Sequence, residues 1–433
     1  MGMAEYDAVI VGAGVLGLAT AYYIKKQNPD HHVLVVERLS GPGQGSTAKS
    51  AGMFRVFFYS KTNLALAHTS VEFYKFLQEE KGVDLNIRWV GYLWLFDDEG
   101  YEKIKPVLDV ISARGLEYKV FEARELEDMM GLRTDLTGDE EAELMGLSNV
   151  DQGVFVPRAG SIDVDALVRF YEKAFLELGG EIAYNTEVRR LIVEPKRPLG
   201  LPGEPFIWQD VIVRGVETSS GEIKAEKVVI AAGAWSHKLL NPIGLECFFR
   251  PKKRQLFSIR VSGKPKLEKL LWTKGFNEEG CMPFTILPGP RVYLKPAPEE
   301  EAIWLSFADE LGRPFEEDPE LEPAPEREFY EYGLYQVAVK YFPQLEGCRP
   351  DAAWAGYYAE NPIDHQPVIF EEAGVIIVGG ASGSGIMKAD AIGRIAAALY
   401  SGQEEAELFG GEAFRVSDLS IRERRVEPEK LVI

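Results

Sequence analysis

Gly12-Ala13-Gly14-Val15-Leu16-Gly17 spaces three glycines so that a chain can turn sharply and lay its backbone against a phosphate. Gly12 permits the tight turn. Gly14 lets backbone approach a pyrophosphate. Gly17 lets a following helix pack close to the preceding strand. The helix start at Val15 and Leu16 then offers unpaired N–H groups to an anion. Glu37 follows Gly17 by twenty positions, the place of a carboxylate that accepts hydrogen bonds from ribose hydroxyls.

Nicotinamide and flavin dinucleotides share this fingerprint, so other segments must decide between them. Gly45-Ser46-Thr47-Ala48-Lys49-Ser50-Ala51-Gly52-Met53 is a small, polar, glycine-flanked run whose N–H donors suit a diphosphate and a ring edge. Ala231-Ala232-Gly233-Ala234-Trp235 and Gly379-Gly380-Ala381-Ser382-Gly383-Ser384-Gly385 each end a buried-strand pattern with small residues. Each loop alone reads as an ordinary turn. Together, in this order, they favour FAD. The residues they would bring to the cofactor are Gly12, Gly14, Val15, Leu16, Gly17, Glu37, Arg38, Gly45, Ser46, Thr47, Ser50, Gly52 and Met53. Further on the set continues with Val188, Ala232, Gly233, Trp235, Gly380, Gly383, Gly385, Ile386, Met387 and Lys388.

The elements that must hold these loops follow from hydrophobic patterning. Ala8-Val9-Ile10-Val11 and Val33-Leu34-Val35-Val36 read as strands buried on both faces, with a helix over 18–26 between them: a βαβ unit. Residues 64–130 read as mostly helical around one strand, Tyr92–Phe96. Leu167, Phe170, Tyr171, Ala174, Phe175 and Leu178 lie on one helical face, and Gly179-Gly180 stops that helix. The stretch from Pro195 to Pro205 reads as a loop insertion. From 242 to 345 the pattern becomes short alternating strands of an antiparallel sheet. Buried-strand character returns at Val375–Val378, ahead of a helix over 389–400. The fold class is therefore α/β plus α+β: a Rossmann-like FAD-binding domain interleaved with a substrate domain on an antiparallel sheet. The predicted boundaries are 1–63, 146–240 and 346–416 for the first, 64–145 and 241–345 for the second, and a tail over 417–433. That tail either frays or docks its apolar end on the substrate entrance.

Composition narrows the partners. The 433 residues carry a formal charge of −20, which argues against nucleic acid or an anionic membrane surface. It leaves room for a local basic pocket that takes a small carboxylate. No apolar run reaches the length of a membrane span, and no leader is visible, so a cytoplasmic location is expected. Sparse Asn and Gln beside abundant Glu, Lys and Arg is a bias found in thermophiles. Cys247, Cys281 and Cys348 form no metal spacing. They read as free thiols, with a covalent flavin tether as the other possibility, and no metal is expected. The acidic run Glu299–Glu301 reads as a solvated face. His237 and His365 lie near cofactor segments, and capping or surface roles suit them better than catalysis.

With these motifs the chain resembles the D-amino-acid-oxidase-like flavoenzymes, in the branch of sarcosine oxidase, glycine oxidase and dye-linked L-proline dehydrogenase. Gly91-Tyr92-Leu93-Trp94-Leu95-Phe96-Asp97-Asp98 and Trp354-Ala355-Gly356-Tyr357-Tyr358-Ala359 are similar to segments of the archaeal dye-linked L-proline dehydrogenases. The resemblance implies a substrate-domain sheet that roofs the flavin. It places Arg55 on a substrate carboxylate, where a guanidinium fork can bond both oxygens; a surface ion pair is the alternative. It places Lys295 beside the flavin, where a cation favours reaction with oxygen; as a bare residue it reads as solvated. Lys388 falls one position late for a second carboxylate-binding lysine, with Met387 in the matching place. No cysteine stands near Tyr357 where the family's covalent tether would be, so noncovalent FAD is expected. Tyr357 and Tyr358 are expected to line the substrate pocket.

The implied reaction is hydride transfer from a carbon beside a neutral secondary amine, with L-proline giving 1-pyrroline-5-carboxylate. The electron acceptor is expected to be of dye or quinone type. The rivals are an oxygen-using amino-acid oxidase, a 2-hydroxy-acid dehydrogenase, and a non-catalytic electron-transfer flavoprotein subunit. Oligomeric state is not legible.

Overall fold

The computed structural model describes residues 6–307 and 313–431. Its first sheet is built on the continuous apolar runs. The strands Val375–Gly379, Gly221–Ile230, Tyr6–Val11, Val33–Val36 and Glu181–Ala183 lie parallel in that order. Val368–Glu372 closes one edge antiparallel, and the strands Val188–Pro195 and Val211–Thr218 extend from Gly221–Ile230 as an antiparallel layer. Parallel strands buried on both faces need apolar residues at every position, and Val33–Val36 is buried throughout.

Four helices, Val15–Gln27, Lys61–Glu80, Val164–Glu177 and Ala389–Tyr400, pack against this sheet in one apolar cluster. The first and last touch closely because position 393 is glycine: a Cβ there would lie 2.8 Å from the backbone of Ala19. Buried Asp390 links them to the third helix. It accepts hydrogen bonds from Tyr23 and Tyr171 and pairs with Arg394 at 2.7 Å.

The second sheet runs Ala352–Glu360, Arg250–Arg260, Ala302–Ser306, Tyr293–Ala297, Phe284–Ile286, Tyr92–Phe96, Gln152–Val156, Lys119–Glu122. All neighbours are antiparallel except Phe284–Ile286 beside Tyr92–Phe96. Helices enter this region at Pro265–Leu271 and Tyr335–Tyr341, so 242–345 is not strand alone. Strands 152–156 and 352–360 belong to this second sheet, whereas the sequence pattern places 146–240 and 346–416 in the cofactor domain. The chain therefore crosses between layers later than expected in both segments. The loop insertion holds: after Pro195 the chain leaves the sheet and exposes Leu199, Leu201, Ile207 and Trp208 before Val211.

Candidate active site

A cavity of about 1410 Å³ lies where the two sheets meet. Its floor is the first strand–helix turn. Gly12 has φ +108°, and a Cβ there would stand 2.7 Å from the Ala231 carbonyl oxygen. Gly14 caps the helix with no side-chain hydrogen bond, and Val15 N–H donates to Thr47 Oγ1 at 3.3 Å. Gly14, Val15 and Leu16 line the cavity, so the helix start is directed into it. The Glu37 carboxylate sits in the wall, held by N–H groups of Ala13 at 2.8 Å and Leu39 at 2.9 Å. Arg38 lies over the Trp235 ring at 4.3 Å. Ser46 Oγ is buried without a hydrogen-bond partner among the described residues, a polar atom aimed at a ligand. These features fit a dinucleotide: diphosphate at the helix start and ribose at Glu37.

Of the expected cofactor residues, all line the cavity except Gly17 and Gly52. Gly17 lies beneath the turn, where a Cβ would stand 2.0 Å from the Gly12 carbonyl oxygen. It acts in packing and not in contact. Gly52, at φ +63°, bends the loop against the Ile162 carbonyl, which a Cβ would approach to 2.8 Å. It shapes the loop without reaching the cavity.

Beyond the groove the cavity becomes a chamber floored by cations and walled by aromatic rings. Arg55 is 4% exposed, on a short strand between the Gly45–Gly52 run and the helix Lys61–Glu80. Its guanidinium lies over Phe58 at 4.3 Å and donates from Nη2 to the Leu431 carbonyl at 2.7 Å. Nη1 is buried with no partner among the described residues. Burial lowers the Arg55 pKa, opposed by Glu429; a guanidinium still keeps its proton.

Lys388 is 1% exposed and donates to Asn63 Oδ1 at 2.7 Å and Ser384 Oγ at 2.6 Å. Burial pushes its pKa down to about 7; Glu429 raises it and Arg55 lowers it further. Met387 lines the cavity as well. The late placement thus still brings the lysine into the chamber. The walls are Tyr92, Phe284 and Tyr293, with ring centroids 4.4 and 4.7 Å apart in sequence, together with Met53 and Leu256.

Strand alternation separates the two tyrosines of Ala352–Glu360. Tyr357 meets Trp235 edge-on at 6.0 Å, at the groove. Tyr358 faces Gly383, where a Cβ would strike its ring at 2.3 Å, and Arg254 stands over it at 5.1 Å. Both line the cavity.

Lys295 is a correction. It does not line the cavity but lies 5% exposed on the face of Trp304, its ammonium 3.5 Å from the ring centre. Burial pushes its pKa down to about 8. Two residues earlier on the same face, Tyr293 does line the cavity; the lysine is one step too far along the strand. Glu299 and Glu300 are not merely solvated, since one lies 3.8 Å from Arg88 and the other accepts from Trp304 Nε1. His237 is buried with its ring nitrogens 3.0 Å from the Ala234 carbonyl and 2.9 Å from the Glu317 carbonyl, and His365 pairs with Glu360 at the cavity rim.

Sequence reasoning missed Asn63, Tyr92, Arg254, Phe284 and Tyr293 as lining residues, and it missed Glu429. The Glu429 carboxylate accepts from the N–H groups of Tyr59 and Ser60 and from Asn63 Nδ2, ahead of the helix Lys61–Glu80. Leu431 is 2% exposed among Met53, Phe57 and Tyr92. Through Leu431, the last described residue, the tail docks on the chamber. Among the described residues no group of side chains could hold a metal ion, and no helix is long and apolar enough to cross a membrane.

A dinucleotide groove opening into such a chamber defines a flavin-linked oxidoreductase. The chain belongs to the DAO family of FAD dependent oxidoreductases, which matches residues 7–399. It is 26% identical over 407 residues to glycine oxidase of Pseudomonas aeruginosa, spanning 92% of this chain and 95% of that one. It is 24% identical over 426 residues to FAD-dependent oxidoreductase domain-containing protein 1 of Xenopus laevis, spanning 91% and 78%. L-proline dehydrogenase from P. horikoshii shares the fold with a TM-score of 0.70 at 24% identity, over 92% of this chain and 94% of that one.

Proposed function

We propose that this FAD-dependent enzyme oxidises the C–N bond of a secondary amino acid, with L-proline the best fit, and passes the electrons to a dye- or quinone-type acceptor. The observation that carries the reading is the buried Nη1 of Arg55, without a partner among the described residues, in the same aromatic chamber as Lys388. A substrate carboxylate satisfies that donor and neutralises the buried charge. Bound FAD supplies the hydride acceptor. The protein's part is to orient and desolvate. Arg55 disfavours a substrate ammonium, as does burial. Lys388, with its pKa near 7, can take the amine proton when neutral. Tyr92, Phe284 and Tyr293 give a small saturated ring an apolar wall. No cysteine lines the cavity among the described residues, which supports noncovalent FAD. Lys295 lies outside the lining, which supports a slow reaction with oxygen.

The full-length likeness to a glycine oxidase favours a second reading, an oxygen-using amino-acid oxidase. Anaerobic bleaching of the flavin with a panel of amino and hydroxy acids, followed by exposure to air, separates the readings. Fast bleaching by L-proline with slow recolouring supports the dehydrogenase. Fast recolouring supports the oxidase. Bleaching only by hydroxy acids, or by none of the panel, removes amino-acid oxidation.

A further inference from the structure

The acidic segment 316–322, Glu-Glu-Asp-Pro-Glu-Leu-Glu, forms neither helix nor strand, yet it is tied down at nearly every residue. Glu316 N–H donates to the Pro251 carbonyl at 2.9 Å. The Glu317 carbonyl faces His237 Nε2 at 2.9 Å. Asp318 pairs with Lys238. The Pro319 carbonyl accepts from Trp235 Nε1 at 3.0 Å. Glu320 N–H donates to Tyr357 Oη at 3.3 Å. Glu322 pairs with Lys49 at 3.0 Å. Pro319 and Leu321 line the same cavity as Gly12 and Glu37, and so do the anchors Lys49, Trp235, Lys238 and Tyr357.

The anchors come from three separate cofactor-facing pieces: the Gly45–Gly52 run, the turn after Ala231, and the strand Ala352–Glu360. A segment without its own backbone ladder stays in place only through such contacts. Trp235 is the centre of the arrangement, with Arg38 over its ring, Tyr357 at its edge and Pro319 on its N–H. Arg38 follows Glu37 directly, so the segment reaches the ribose end of the groove through that ring.

We propose that 316–322 is a clasp that holds FAD in its groove and sets how fast the cofactor leaves. Because FAD runs through the cavity that Pro319 and Leu321 border, its exit requires these contacts to open. The acidic side chains themselves repel a diphosphate, so they serve the clasp by gripping lysines and not by touching the cofactor.

That opposition gives a test. In the FAD-loaded protein, Asp318→Ala with Glu322→Ala removes two acids whose side chains are largely exposed, 90% and 75%. Simple electrostatics predicts that FAD is then retained more firmly. A clasp predicts faster release. Each exposed pair contributes up to a few-fold, so the double variant should release FAD several-fold faster, read by the rise of free-flavin fluorescence after dilution. Trp235→Phe keeps the ring, loses the bond to Pro319, and should add to the effect. Release that is unchanged or slower in the double variant overturns the proposal.

A second measurement needs no variant. A glutamate-specific protease should cut within 316–322 faster in the apoprotein than in the FAD-loaded protein. Equal cutting in both forms overturns the proposal.

Discussion

Replacing Arg55 with alanine separates anchoring from architecture. The guanidinium is 4% exposed and keeps Nη1 without a partner among the described residues, so a bond to a substrate carboxylate there would form out of water. Losing one member of such a pair costs about 2–5 kcal/mol, or roughly 30- to several-thousand-fold in kcat/KM at about 1.4 kcal/mol per decade. The same substitution strands the Leu431 carbonyl and loosens the docked tail, an architectural cost of about 1–3 kcal/mol. The two costs part on substrate choice. With a dye as acceptor, kcat/KM for L-proline should fall by at least about 30-fold, whereas that for pyrrolidine, which lacks the carboxylate, should fall much less. Arg55→Lys should recover part of the loss, because it restores charge without the fork. Equal losses for both substrates would make Arg55 a structural residue. A change under about threefold for L-proline, well below 1 kcal/mol, would remove it from the site.

Three further outcomes follow from the geometry. Lys388 is neutral above about 7 and charges as pH falls below it, so kcat/KM for L-proline should fall as pH drops through about 7, and Lys388→Met should abolish that inflection in a stopped-flow pH profile. Burial holds Lys295 at about 8, below its ordinary value, so its contribution to stability is full above the unfolded pKa and declines as pH falls toward 8. Lys295→Met should therefore raise the denaturation midpoint at pH 7 by an amount worth about 1–3 kcal/mol, with little gain at pH 10.5 and no change in reoxidation by air; a lower midpoint, or slower reoxidation, would return the lysine to the flavin. Gly17→Ala should yield protein with little bound FAD by absorbance, because its Cβ would lie 2.0 Å from the Gly12 carbonyl oxygen; full FAD loading would show that the turn can shift.

The cofactor groove was largely legible because its residues are local. Gly12, Gly14 and Glu37 act through spacing along one βαβ unit, and spacing is what a sequence displays. The chamber was not, because it is assembled across distance. Tyr92, Phe284 and Tyr293 belong to strands that become neighbours only in the sheet, and Asn63 and Glu429 meet from opposite ends of the chain. Lys295 shows the limit sharply. It is expected beside the flavin on the resemblance alone, and how far along its strand the cavity extends depends on the packing of other strands. The layer boundaries failed for a related reason: Gln152–Val156 and Ala352–Glu360 carry strand patterns that do not say which sheet they join. Arg55 and Lys388 are singled out by the family resemblance, and the apolar flanks Met53-Phe54 and Val56-Phe57-Phe58 weigh against a surface ion pair for Arg55.

The order of strands in the first sheet has a consequence for how the chain is made. Tyr6–Val11 is made long before one of its two neighbours, Gly221–Ile230, and that strand in turn leans on Val375–Gly379. The first helix packs on Ala389–Tyr400, which is made long after it. At roughly 5–20 residues per second, the gap between residues 36 and 375 is about 20–70 s. Through that interval Val9, Ile10, Val35 and their neighbours have no finished sheet to enter. The apolar edge of this unit is thus covered only when Val375–Gly379 and its neighbours arrive.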